Sequence, residues 1–137
     1  MSELVLGAHP GVYLYNMGPS FAAILHGIAT EEQKKVAALM VEKEWNATMV
    51  LTEPDAGSDV ASIRTRAVAD GEQWIVNGQK IWTSGAADAD WIYLIARTDP
   101  DAAPHKGLSE FVVDMRSPGI TITPITDATG NQHFCEV

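Results

Sequence analysis

Two spacings of apolar residues divide the chain near residue 46. Before that point the spacing is helical. Pro19 to Ile28 carries Phe21, Ile24, Leu25 and Ile28, an i, i+3, i+4, i+7 stripe that lines one face of a helix. Thr30-Glu31-Glu32-Gln33 follows and has the makeup of a capping box. There the Thr30 hydroxyl accepts from the Gln33 amide, and the Gln33 side chain returns the bond. The helix opened there is predicted to turn Val36, Leu39, Met40 and Val41 inward, leaving Glu31, Glu32, Lys34, Lys35 and Glu42 in water.

After residue 60 the period falls to two or to short β-rich runs. Ile63 to Val68 is predicted as a strand and Ala69-Asp70-Gly71-Glu72 as a turn. Trp74-Ile75-Val76 then leads into Asn77-Gly78, a dipeptide that favours a two-residue hairpin loop. Ile81-Trp82 resumes the chain. Trp91 to Ala96 and Phe111 to Asp114 read as apolar strands on either side of a polar loop, Thr98 to Gly107. Ser117-Pro118-Gly119 turns the chain into the alternating Ile120-Thr121-Ile122-Thr123. Short strands at this spacing predict an antiparallel sandwich or barrel. There is no βαβ alternation and no G-x-G-x-x-G, which speaks against a dinucleotide-binding Rossmann domain. The expected class is α+β: helical residues 1–46, then a β domain over residues 47–137.

Composition narrows the functions. The formal net charge of −9 argues against nucleic acid, because phosphate affinity comes from Lys and Arg. Any anionic ligand must therefore be held by local groups. No apolar run reaches the roughly 18 residues needed to span a bilayer. Met1-Ser2-Glu3 offers no basic start, and Gly7, His9 and Pro10 interrupt the apolar stretch that follows, so no signal peptide is expected. The lone Cys135 cannot form an intramolecular disulfide and suits a reducing, cytoplasmic setting. His9, His26, His105 and His133 lack metal-ligand spacing, so no metal is expected. Asp88, Asp90, Asp99 and Asp101 do not make an EF-hand.

Two segments could carry chemistry. Leu51-Thr52-Glu53-Pro54-Asp55-Ala56-Gly57-Ser58-Asp59 is a polar loop between helix and sheet. Pro54 fixes φ, and Gly57 permits positive φ or close approach of another group. Thr52 and Ser58 supply hydroxyls, and amides near Gly57 could meet an acceptor-rich ligand. A plain connecting turn fits the same residues. In Asn77-Gly78-Gln79-Lys80-Ile81-Trp82-Thr83-Ser84-Gly85, a Trp beside two hydroxyls could stack on a flat ligand and donate to its edge. It could equally be a core Trp at a strand end.

Together, in this order and about thirty residues apart, the two segments resemble the middle domain of the acyl-CoA dehydrogenase family. The first is similar to the family's T-E-P-x-A-G-S-D loop at every one of those positions, and the second to its N-G-x-K-x-W-x-[ST] segment. Arg64-Thr65, Lys106-Gly107 and Ser117-Pro118-Gly119 fit as well. The resemblance covers residues 47–137 strongly and the preceding helices more loosely. It implies FAD as cofactor, with Met49, Leu51, Thr52, Trp82, Thr83 and Ser84 at the flavin. Met49, Leu51 and Thr52 would border the isoalloxazine ring, Trp82 would pack beside it, and Ser84 would aim its hydroxyl at N5. Ser58 would contact the acyl-CoA substrate.

The same resemblance implies α,β-dehydrogenation of an acyl-CoA thioester, as in fatty acid β-oxidation. Hydride passes to flavin N5, and electrons then go to a carrier such as electron-transfer flavoprotein. It also implies a homo-oligomer. There are three departures from the family pattern. Trp82-Thr83-Ser84 stands where many relatives have Trp-Ile-Thr, and Val50 where a small residue is common. The third is that the chain stops at Val137, before the C-terminal helical bundle that carries the family's catalytic glutamate. No catalytic residue is therefore expected within it, and Glu53 and Asp59 match structural loop positions. Alternatives are a related flavoenzyme, of the acyl-CoA oxidase, nitroalkane oxidase or monooxygenase type, or a truncated, non-catalytic binding module.

Overall fold

The computed structural model describes residues 17–137; the reading of the first ten residues, His9 included, lies outside them. Helix α1 (Met17–Ile28) and helix α2 (Glu31–Glu42) pack on each other across a two-residue connection. The capping box forms as predicted. Thr30 Oγ1 accepts from the Gln33 amide at 3.3 Å, and Gln33 Oε1 accepts from the Thr30 amide at 3.0 Å. Such a cap is worth about 1 kcal/mol. The inward faces are narrower than the apolar stripes. Phe21, Ala22 and Leu25 are buried on α1 and Ala37 and Met40 on α2, whereas Ile24, Ile28, Leu39 and Val41 are exposed. One partner helix covers only a narrow seam, not the wide stripe of a helix lying on a globular core.

The chain divides into two compact units between Ala47 and Thr48. The second holds all of β1 (Ala47–Val50) but its first residue, and the strands β2 (Arg66–Asp70), β3 (Gln73–Asn77), β4 (Thr83–Ser84), β5 (Trp91–Arg97), β6 (Leu108–Asp114), β7 (Thr123–Ile125) and β8 (Phe134–Glu136). β5 and β6 form the central hairpin, in register from Trp91↔Asp114 to Arg97↔Leu108. The other edge of β5 is shared by β1 and by β2, which meets it in parallel at Arg66↔Arg97; β3 lies outside β2. A second, antiparallel sheet has the order β4-β8-β7. The strands thus make two sheets and not a closed barrel. Val50, Ala67, Ile92, Leu94 and Ala96 form the core, with Phe111, Val113, Met115 and Val137 packed against it.

The turn predicted at 69–72 forms, as Gly71-Glu72 between the paired Asp70 and Gln73, with Gly71 at φ 61°. Three boundaries depart from prediction. Asn77-Gly78 makes no hairpin and simply ends β3. Its glycine serves a close approach, since a Cβ there would lie 2.3 Å from Thr65 Oγ1. β2 starts at Arg66 and not Ile63, because other groups take the preceding backbone. The Arg64 and Thr65 amides donate to the Glu53 carboxylate, and the Ile63 carbonyl accepts from Arg97 Nε. From the alternating Ile120 to Thr123, only Thr123 joins a ladder; Ile120 and Thr121 line a cavity instead. That cavity, about 540 Å³, has walls from both sheets, including Trp74, Leu94, Val113 and Glu136.

Candidate functional site

The two motif segments lie side by side. The Ile81 amide donates to the Thr52 carbonyl at 2.8 Å, and Lys80 Nζ donates to the Leu51 carbonyl at 3.0 Å. One strand earlier, the Thr48 hydroxyl donates to the Ser84 carbonyl at 2.7 Å. Strand alternation then decides which side chains turn outward. In β1, Thr48 and Val50 are buried while Met49 is 46% exposed. On the other segment Trp82 is 56% exposed, Thr83 is buried and Ser84 is exposed. Leu51 and Thr52 are half-buried at the end of β1.

Trp82 holds a left-handed backbone, φ 60°, a conformation that costs a bulky residue about 1–2 kcal/mol. It persists because both flanks are fixed. Lys80 exchanges two backbone hydrogen bonds with Val137, at 2.8 and 2.9 Å, and Thr83 pairs with Cys135 in the small sheet. The indole meets Phe134 edge-on, with ring centroids 6.1 Å apart, which leaves much of the ring to solvent. Gly85, at φ 65°, then turns the chain into the short helical turn Ala86–Asp88.

Beneath these residues lies a buried ion pair. Lys80 is 3% and Glu53 6% exposed, with Nζ 2.9 Å from Oε1. Glu53 also accepts from the Arg64 amide at 2.6 Å and the Thr65 amide at 2.8 Å. Burial alone would raise the Glu53 pKa. The Arg64 and Thr65 amides and Lys80 outweigh it and bring the carboxyl from 4.5 down to about 2. Burial pulls Lys80 below its ordinary 10.5, against the attraction of Glu53. Glu53 is the anchor of the pair, because main-chain donors hold its anion even apart from Lys80.

Met49, Leu51, Thr52, Trp82 and Ser84 are therefore brought together on adjoining segments. Thr83 is there too, but its side chain faces the interior, where its hydroxyl finds no partner among the described residues. Ser58 is exposed on the loop beyond Glu53, and none of the described groups hydrogen-bonds its hydroxyl. Gly57 neither takes positive φ nor brings its backbone close to another group. Sequence reasoning gave Lys80 no role. Its signals were a Lys beside the apolar Ile81 and Trp82, and its place as the fixed Lys of the N-G-x-K-x-W-x-[ST] segment.

The Thr52 N–H has no acceptor among the described residues. A free donor beside an exposed aromatic face suits a flat ligand with acceptors along its edge. No cluster of His, Cys, Asp or Glu able to hold a metal occurs among the described residues, nor is any described helix long and apolar enough to cross a membrane.

The family model for the acyl-CoA dehydrogenase middle domain matches residues 48–137. This chain belongs to the acyl-CoA dehydrogenase family. An acyl-CoA dehydrogenase of Mycobacterium tuberculosis, FadE29, is 48% identical over 124 residues, covering 90% of this chain and 31% of the relative. Among solved structures, the Tcur3481-Tcur3483 steroid acyl-CoA dehydrogenase is 37% identical with a TM-score of 0.81, covering 89% of this chain and 32% of that one. A glutaryl-CoA dehydrogenase of Mycobacterium smegmatis, solved with FADH2, is 32% identical with a TM-score of 0.69, covering 85% and 29%. The chain thus spans about a third of these acyl-CoA dehydrogenases, and the shared part includes both motif segments.

Proposed function

We propose that this chain forms the flavin-facing β part of an FAD-dependent acyl-CoA dehydrogenase, with Met49, Leu51, Thr52, Trp82, Thr83 and Ser84 at the cofactor. The observation that carries the reading is the free Thr52 N–H beside the exposed, conformationally strained Trp82. FAD fits this surface, since its tricyclic ring offers a flat face for the indole and its pyrimidine edge offers acceptors for Thr52. The M. smegmatis relative solved with FADH2 supports the choice of cofactor. When bound, FAD supplies the hydride acceptor for α,β-dehydrogenation of an acyl-CoA thioester. The chain's own residues bind and orient the ring, and neutral donors at its edge favour its electron-rich reduced form. Thr83 backs this surface from within, its side chain turned inward and its main chain paired with Cys135.

No carboxylate of the site is assigned as the base that takes the α-proton. Glu53 is held at a pKa of about 2 by two amides and the Lys80 ammonium, far below a base poised to act near neutral pH. Asp59 accepts from the Ser62 hydroxyl, and Asp55 pairs with Arg64 at 2.9 Å. Ser58, exposed and unengaged, is the residue proposed to meet the acyl-CoA. With this reading go electron-transfer flavoprotein as the electron acceptor, a homo-oligomeric complete enzyme and a cytoplasmic setting.

Titration of the chain with FAD, followed by flavin fluorescence, tests the proposal. Trp82→Ala should weaken binding by about tenfold, the loss of one stacking aromatic contact. Unchanged affinity in Trp82→Ala, together with a Thr52 amide resonance that FAD does not move, would remove both residues from the cofactor site. Ser58→Ala should leave FAD binding alone and weaken acyl-CoA binding by a few-fold up to roughly tenfold.

A further inference from the structure

We infer that Lys80 is a positioning residue: by holding the Leu51 carbonyl it turns the Thr52 N–H toward the ligand, and Glu53 keeps its ammonium in place. The inference rests on the flavin reading of Thr52 given above. A trans peptide is planar, so its C=O and N–H point in opposite directions. The Leu51 carbonyl faces inward, 3.0 Å from Lys80 Nζ. The Thr52 N–H of the same peptide therefore faces away from the interior, and no acceptor among the described residues takes it. The next peptide is fixed as well. Its Thr52 carbonyl accepts from the Ile81 amide at 2.8 Å, and its Glu53 N–H donates to the Ala56 carbonyl at 2.9 Å. Both peptide planes flanking Thr52 are thus set before any ligand arrives.

Lys80 is well placed to impose that direction. Its main chain is tied to Val137 on both sides, and its buried ammonium is shared between Leu51 and a carboxylate that two amides hold still. Trp82 follows two residues later, so one side chain couples the two halves of the surface. A pair this deeply buried is a poor device for stability alone, since apolar replacements of both partners are often neutral or stabilising. What apolar residues could not do is hold the Leu51 carbonyl.

The experiment follows the Thr52 amide by NMR in the ligand-free chain, and FAD affinity by fluorescence. The chains compared are wild type, Lys80→Met, the double variant Glu53→Leu/Lys80→Met, Leu94→Ala and Trp82→Ala. Lys80→Met should shift the Thr52 amide and raise the Kd for FAD about tenfold. The double variant should regain stability but neither the amide position nor the affinity, which separates direction from packing. Leu94→Ala should lose stability with both readouts unchanged. A double variant that folds with the wild-type Thr52 amide and wild-type Kd overturns the inference, and it decides the matter even if Lys80→Met does not fold. If Trp82→Ala leaves the Kd unchanged, the flavin reading fails by itself; the Thr52 amide of the double variant still tells whether Lys80 sets that peptide.

Discussion

The β5–β6 hairpin and the loop from Leu51 to Thr65 are both well ordered by contacts, but of opposite kinds. β5 is held by seven paired positions and by apolar side chains, with Ile92, Leu94 and Ala96 buried in the core. The loop has no apolar run and no ladder beyond a single Glu53↔Ala56 bridge. It is shaped by polar contacts instead: Glu53 takes two amides and an ammonium, and Arg97 reaches the Ile63 and Ala61 carbonyls. Burial is non-directional, so the hairpin tolerates small shifts of its side chains. Hydrogen bonds fix directions, and a loop that must present Thr52 in one orientation is built from them. The site is thus made by the part of the domain that hydrophobic patterning describes least.

The largest effect should come from breaking the polar cluster one-sidedly. Glu53→Ala leaves Lys80 buried and unpaired, and should cost about 3–5 kcal/mol in urea unfolding. If it costs under about 1 kcal/mol, the loop is held by something other than this pair. In the hairpin, Leu94→Ala removes a buried side chain from the core and should cost about 2–5 kcal/mol. That variant should spare the Thr52 amide, which Glu53→Ala should not.

These two regions also differ in how far sequence reasoning reached. Short apolar runs located β5 to within one residue and β6 to within three, and the capping box at Thr30 was legible because both partners sit three residues apart. The Asn77-Gly78 turn was misplaced, because a glycine needed to pass over Thr65 looks in sequence like a glycine needed for positive φ. The strand start at Ile63 was misplaced for a related reason. Glu53 claims the Arg64 and Thr65 amides from eleven and twelve residues away, and no local pattern announces it. The resemblance supplied the residues of the site, but not the Lys80–Glu53 pair beneath them.

Acid should sharpen the contrast at somewhat smaller magnitude. The Glu53 pKa is lower in the folded chain than its ordinary 4.5, at about 2. Its contribution is therefore complete above pH about 4.5 and is lost as pH falls toward about 2. That loss is up to about 3 kcal/mol. Glu53→Gln should remove this share of the acid sensitivity, measured as stability against pH, while Leu94→Ala should keep it. The smallest effect is expected at Trp82. Trp82→Gly relieves the strain of φ 60° and should change ligand-free stability by about 1 kcal/mol or less, with FAD affinity falling nonetheless. A large loss of stability would make Trp82 a core residue and not a ligand-facing one.

FAD should meet the polar-held surface of Thr52 and Trp82, and not the roughly 540 Å³ cavity between the sheets. Amide shifts mapped by NMR as FAD is added to the chain test it most directly. The account predicts the largest changes at Met49, Leu51, Thr52, Trp82 and Ser84, with Trp74, Ile92, Leu94 and Val113 undisturbed. Changes concentrated on those four cavity residues, with Thr52 and Trp82 unmoved, would contradict it.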